Sequence, residues 1–183
     1  MHLIYLSIPL IPLLGALIVG LLCRVIPRWF AHTITILVVG ASFVLSIFVF
    51  QDVQAGHLFN GNLYTWLRSG DWQFSIGFLI DPLSAIMMLV VTFVSLMVHL
   101  YTIGYMHEDP GYNRFFSYIS LFTVAMLVLV MSNNFLQLFF AWEAVGLISY
   151  LLIGFWFKRP TAIYANLKAF LVNRVGDLGF LLG

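Results

Sequence analysis

Apolar residues fall along this chain in long runs broken by short polar stretches, and each run is about the length, some twenty residues, that a helix needs to cross a bilayer. Six runs stand out, at roughly 3–23, 31–50, 82–106, 115–131, 134–157 and 161–183. They predict about six transmembrane helices in an all-α polytopic membrane protein. Between the second and third runs the period changes. In WQFSIGFLI, residues 72 to 80, Trp72, Phe74, Ile76, Phe78 and Ile80 alternate with Gln73, Ser75, Gly77 and Leu79, which is the period of a strand. Tyr64 and Trp66 alternate upstream, and Ser69-Gly70-Asp71 reads as a turn. Residues 57–80 are therefore expected to form a small β-hairpin outside the bilayer. An interfacial amphipathic stretch is the other reading, and the two tryptophans suit an interface in either case. The chain thus divides into 1–80, two helices plus the hairpin, and 81–183, helices three to six.

Local signals refine the ends. Pro9 and Pro12 sit in the first half of the first run, where a kink or a late helix start is tolerable. In Asp81-Pro82-Leu83-Ser84 the aspartate can cap free N–H groups, and Pro82 suits the first helical position. No Lys or Arg precedes the first run, which is long enough to span, so it reads as a membrane helix rather than a cleaved signal. The sequence closes LGFLLG without a polar flank, which predicts a fragment of a longer protein or a truncated reading frame.

Composition supports lipid as the solvent. The 183 residues are 62% hydrophobic and 8% charged, against about a quarter charged in soluble domains. A net charge of +1 implies no nucleic-acid partner. The single cysteine, Cys23, cannot build a disulfide framework, a zinc site or an iron–sulfur ligand set. No GxGxxG or Walker A loop is present, so no nucleotide site is visible. Arg24 and Arg28 lie between runs one and two, Arg114 between three and four, and Lys158 and Arg159 between five and six; the opposite side carries only Arg68. The three basic loops are expected to share one side and face the cytoplasm or a matrix.

The remaining charges stand where they are expensive. Glu143 lies near the centre of the fifth run, where an acidic residue costs about 2.5–3.5 kcal/mol to insert. Burial favours the neutral form of a carboxyl group and a nearby cation favours the ionised form, so a site balanced between them can take up and release a proton. Gly146 and Tyr150 follow on the same helix face, the glycine leaving room for water or another helix. A static ion pair is the alternative. In the sixth run Arg174 and Asp177 are three apart and can pair. Lys168 lies within snorkelling distance of the headgroups and could instead relay protons if buried. Asn166 and Asn173 favour protein or water around this helix. His99, in the third run, either ties to a neighbouring helix or relays protons; His107, Glu108 and Asp109 read as solvated loop residues.

Three function classes follow: an ion-conducting subunit, a membrane anchor whose charges only tie helices together, and an intramembrane enzyme. The last lacks an HExxH motif, a GxSxG elbow and paired carboxylates at one depth.

The chain also resembles a known family. IDPLSAIM (80–87), HLYTIGYMHEDPGYNRFFSYISLF (99–122), WEAVGLISYLLIGFW (142–156) and KAFLVNRVGDLGF (168–180) are similar to the N-terminal part of subunit L, or chain 5, of NADH-quinone oxidoreductase, respiratory complex I. Residues 1–80 match mainly in layout. The resemblance implies an antiporter-like membrane subunit of an inverted-repeat fold, of which this chain would hold three leading helices and the start of the first repeat. It implies a proton path through Glu143, paired with a lysine on a broken helix beyond Gly183, with Lys168, Arg174 and Asp177 as the charges of the next span. It implies no cofactor in this chain, with NADH, FMN, iron–sulfur clusters and quinone held by partner subunits, and partners among the other membrane-arm subunits, the lipid bilayer and protons. A bacterial inner membrane is favoured over a mitochondrial one. The large subunit of a multisubunit sodium/proton antiporter is the runner-up, with hydrogenase and bicarbonate-uptake complexes as further relatives.

Overall fold

The computed structural model describes residues 2–70 and 72–183; Asp71 of the expected turn lies outside the described residues. Six helices and one hairpin follow in the order α1 (His2–Leu21), α2 (Arg28–Gln54), β1 (Phe59–Ser69), β2 (Trp72–Ile80), α3 (Pro82–Tyr105), α4 (Tyr112–Val130), α5 (Phe135–Ile153) and α6 (Pro160–Leu182). Helices α1 to α5 are long and apolar enough to cross a bilayer. Helix α6 is long enough but less apolar, because Lys168, Arg174 and Asp177 interrupt it. So the expected six spans become six helices and five spans by hydropathy alone.

Helices α1 to α4 pack as a bundle, α5 lies on α4, and α6 rests on α5. The bundle is lined with small and hydroxylated residues. On α2 the buried positions are Ala31, Thr35, Val39, Ser42, Ser46, Val49 and Val53; on α3 they are Ser84, Ala85, Met88, Thr92, Ser95, His99 and Thr102. Both series advance three or four residues at a time, one face of a helix. Large apolar side chains such as Leu83, Val90 and Phe93 point outward. In lipid this is the favourable arrangement, since helix association there draws on close packing and interhelical hydrogen bonds.

The first helix does not start late; it runs through both prolines. Pro12 has no N–H to give the carbonyl of Ile8, one turn back. Ser42 on α2 supplies the missing donor, its Oγ reaching Ile8 O at 2.9 Å. Lower on the same helix, Ala16 and Gly20 form a small-xxx-small pair against α4, where Ser117 Oγ donates to Ala16 O at 2.8 Å. A Cβ on Gly20 would meet Ser117 Oγ at 2.6 Å, so the contact needs glycine.

The hairpin forms as an antiparallel pair, with Phe59 opposite Ile80 and two register shifts along β1. Gly70 turns the chain at φ +59°. Phe78 and Ile80 are buried against Tyr5, Val49, Met88 and Met131. Asp81 and Ser84 form a reciprocal capping box on α3, with Ser84 N donating to Asp81 Oδ1 at 2.7 Å and Asp81 N to Ser84 Oγ at 2.8 Å.

At the opposite end of the bundle the three basic loops meet. Asn113 Nδ2 donates to Cys23 O and Ile26 O, Arg28 donates to His107 O, and Trp156 Nε1 donates to Asp109 Oδ2. His107 and Glu108 are exposed, but Asp109 is half-buried, because it also accepts the N–H of Gly111 at 2.7 Å. It is a loop clamp rather than a solvated charge.

Candidate functional site

The site is built from α5 and α6. Helix α5 is anchored before it enters the bundle. Asn134 caps it through Oδ1, which accepts Gln137 N–H at 2.8 Å, while its Nδ2 donates to Ser75 O of the hairpin at 2.9 Å. Gln137 Oε1 in turn accepts Gly77 N–H at 2.9 Å. The hairpin therefore fixes both the start and the rotation of the helix that carries Glu143.

Helix α6 returns antiparallel along α5, and its contacts fall on one face. Asn166 lies against Gly154, where any Cβ would strike its amide. Phe170 meets Tyr150 edge-on at 5.5 Å, and Phe180 stacks on Phe139 at 5.7 Å. Between these two aromatic contacts lie the charges. A Cβ on Gly146 would be 3.8 Å from Asn173 Nδ2 and 4.0 Å from Arg174 Nη2, so the glycine lets the guanidinium lie close to α5.

Arg174 occupies the centre. Its Nη1 donates to Glu143 Oε2 across the helix interface and lies 3.4 Å from Asp177 Oδ2 on its own helix. That second approach is an ion pair without hydrogen-bond alignment, since Asp177 Oδ2 has no hydrogen-bond donor. The other oxygen, Asp177 Oδ1, accepts Trp142 Nε1–H at 3.0 Å. Asp177 is the most enclosed member, its side chain 9% exposed against 23% for Glu143 and 38% for Arg174. Arg174 also lies over the Phe170 ring at 5.1 Å.

This arrangement corrects one sequence expectation. Two carboxylates meet at Arg174 Nη1, but Glu143 and Asp177 come from different helices, so no spacing along the chain reveals the pair. Formally, two carboxylates surround one guanidinium, leaving the cluster one positive charge short. A guanidinium stays protonated, so any proton exchanged here resides on a carboxylate or water.

Two other candidates lie elsewhere. Lys168 is exposed on α6 and makes no ion pair among the described residues. His99 is fully buried between α3 and α4. Its Nδ1 lies 2.8 Å from Ser95 O, and since a carbonyl only accepts, this nitrogen carries the hydrogen. In the neutral ring Nε2 then accepts from Ser120 Oγ at 3.0 Å. The Ser120 bond ties α3 to α4. No group of three His, Cys, Asp or Glu side chains suited to a metal ion occurs among the described residues.

Trp142 was missed by sequence reasoning. The available signal was an indole N–H beside Glu143 in an otherwise apolar stretch, a donor that lipid cannot satisfy.

Comparison with known proteins bears on the same segments. Residues 66–116 match the family described as NADH-ubiquinone oxidoreductase (complex I), chain 5 N-terminus. Residues 132–183, which contain Glu143, Lys168, Arg174 and Asp177, match NADH:quinone oxidoreductase/Mrp antiporter, TM. The chain is 64% identical over 183 residues to NADH-quinone oxidoreductase subunit L of Neisseria meningitidis, covering 98% of this chain and 27% of that protein. The chain belongs to this family of antiporter-like membrane subunits. Within the family it is 47% identical to NADH-ubiquinone oxidoreductase chain 5 of Arabidopsis thaliana, again over 98% of this chain and 27% of the relative. It spans about a quarter of the length of these curated relatives and aligns with their N-terminal part. Among solved structures, a chain of the membrane-bound sulfane sulfur reductase, an archaeal respiratory membrane complex, superposes with a TM-score of 0.83 at 17% identity, covering 97% of this chain and 35% of that one. That likeness speaks to the fold.

Proposed function

We propose that this chain supplies part of a proton path in a membrane-arm subunit of NADH-quinone oxidoreductase, coupling electron transfer in partner subunits to proton movement across a bacterial inner membrane. The observation that carries the reading is the bridging of Glu143 and Asp177 by Arg174 between α5 and α6. The cluster lacks one positive charge. Either a proton or a second cation can supply it, and we assign that cation to a lysine in a later span, as the family resemblance implies. When the lysine approaches Glu143, the proton is released; when it withdraws, a proton returns. Trp142 and Arg174 hold Asp177 in place while Glu143 changes partner. A charge change in a neighbouring subunit would move the lysine, and the redox chemistry stays with those partners.

The test uses the full-length subunit in its assembled complex. In proteoliposomes driven by NADH and quinone, Glu143→Gln is expected to lower proton pumping and coupled turnover more than Glu143→Asp. Unchanged pumping in Glu143→Gln would leave the anchor reading. A sodium/proton antiporter subunit is the second reading, favoured by a matching family description that covers both classes. Pumping that follows sodium rather than proton concentration would select it.

A further inference from the structure

The three-loop end of the bundle holds a cavity rich in basic side chains, none of which belongs to the Glu143 cluster. It has a volume of about 430 Å³ and is lined by all three loops. Four of its side chains are cationic: Arg24, Arg114, Lys158 and Arg159. None forms an ion pair among the described residues. The one carboxylate in the lining, Asp109, is already committed, with Oδ1 accepting Gly111 N–H and Oδ2 accepting Trp156 Nε1–H. The Arg114 Nε–H is buried without a hydrogen-bond partner, although its guanidinium lies over the Phe155 ring at 4.7 Å and its Nη2 reaches Phe155 O at 3.4 Å. The cavity therefore carries three uncompensated positive charges and at least one unmet donor.

Its neighbour is apolar. A groove of about 640 Å³ runs between α3, α4 and α5, past Val94, Ile119, Phe122 and Leu152, and ends at Trp156. Trp156 lines both the groove and the basic cavity, and Phe115 of the groove meets Phe155 of the cavity edge-on at 5.0 Å. A cationic cup that shares a tryptophan with a largely apolar groove at a membrane-helix end has the two-part chemistry of a phospholipid.

We propose that this is a binding site for an anionic phospholipid, its phosphate held by Arg24, Arg114, Lys158 and Arg159 and one acyl chain lying in the α3–α5 groove. Charge complementarity selects an acidic headgroup over a zwitterionic one, whose ammonium would bring back a positive charge. The groove selects a lipid over free phosphate, which shares only the headgroup chemistry. The site does not depend on how the Glu143 cluster works.

The test places the assembled complex, carrying the full-length subunit, in phosphatidylcholine nanodiscs containing a minor fraction of phosphatidylglycerol with a photoactivatable acyl chain. Crosslinked peptides are mapped by mass spectrometry. Labelling is expected on the α4 segment around Ile119 and Phe122, or on α5 near Leu152. It should fall about five-fold for each of Arg24→Gln and Lys158→Gln and return with Lys158→Arg. Both tested side chains are exposed, so assembly and turnover should persist and serve as the folding control. Equal labelling by a phosphatidylcholine probe, indifference to both substitutions, or displacement by inorganic phosphate alone would each overturn the proposal.

Discussion

Removing Arg174 should damage this protein in two separable ways. In Arg174→Gln the cluster keeps two carboxylates and no cation, with Asp177 only 9% exposed. Breaking a fully buried pair costs about 3–5 kcal/mol. Here Arg174 itself is 38% exposed, so solvent screens part of that, and about 1–3 kcal/mol is the appropriate scale. The substitution should therefore shift the assembly equilibrium by about 5- to 150-fold. Adding Glu143→Gln removes one of the two stranded charges and restores the original formal balance of minus one. The double variant should then recover most of the lost stability. On the proposed proton path it should not recover pumping, because that path needs the Glu143 carboxyl group. The assay is a four-member cycle, comparing assembled complex and thermal inactivation with dye-detected proton pumping in proteoliposomes. If Arg174→Gln assembles like the parent, or the double variant is no more stable than Arg174→Gln alone, the bridging geometry is wrong. If pumping returns along with stability, Glu143 is only a structural tie.

Ser42→Ala leaves the Ile8 carbonyl unpaired and should cost about 1–3 kcal/mol, a penalty that Pro12→Ala relieves by restoring a backbone donor; additive effects on thermal inactivation would refute the pairing. Gly77→Ala would place a Cβ 2.6 Å from Gly61 O and onto the Asn133 amide, so protease sensitivity of the hairpin should rise and pumping fall, whereas Gly104→Ala, with open space around it, should do neither. His99→Ala should lower assembly through the lost Ser95 and Ser120 bonds while the pH profile of pumping per assembled complex stays fixed; a shifted profile would restore the relay reading. Asp177→Asn should lower pumping less than Glu143→Gln does, measured as proton-to-electron ratio.

Much of the architecture was legible because a bilayer makes strong demands. Runs of apolar residues gave the helices, the alternation from Trp72 to Ile80 gave the hairpin, and Asp81-Pro82 gave the cap of α3. What escaped was interhelical. Arg174 and Asp177 read as partners because they are three apart, but the hydrogen bond to Glu143 crosses thirty-one positions and follows no spacing rule. Ser42 gave no sign of its role until Pro12 was seen to free a carbonyl on a neighbouring helix. Asn134 stood at the edge of an apolar run like any boundary residue, yet it both caps α5 and ties it to Ser75. Lys168 carried the same kind of signal as Arg174, but it lies on an exposed part of α6.

That last helix packs against α5 and little else, and its charges bear on how such a segment reaches the bilayer at all. Arg174 and Asp177, near the middle of α6, would cost about 2.5–3.5 kcal/mol each on translocon scales if the helix were inserted singly. Delivered as a helical hairpin with α5, it arrives with its guanidinium already neutralised by a carboxylate from the preceding span. The same Glu143–Arg174 contact that the proposed proton path uses would then lower the cost of passing α6 into lipid.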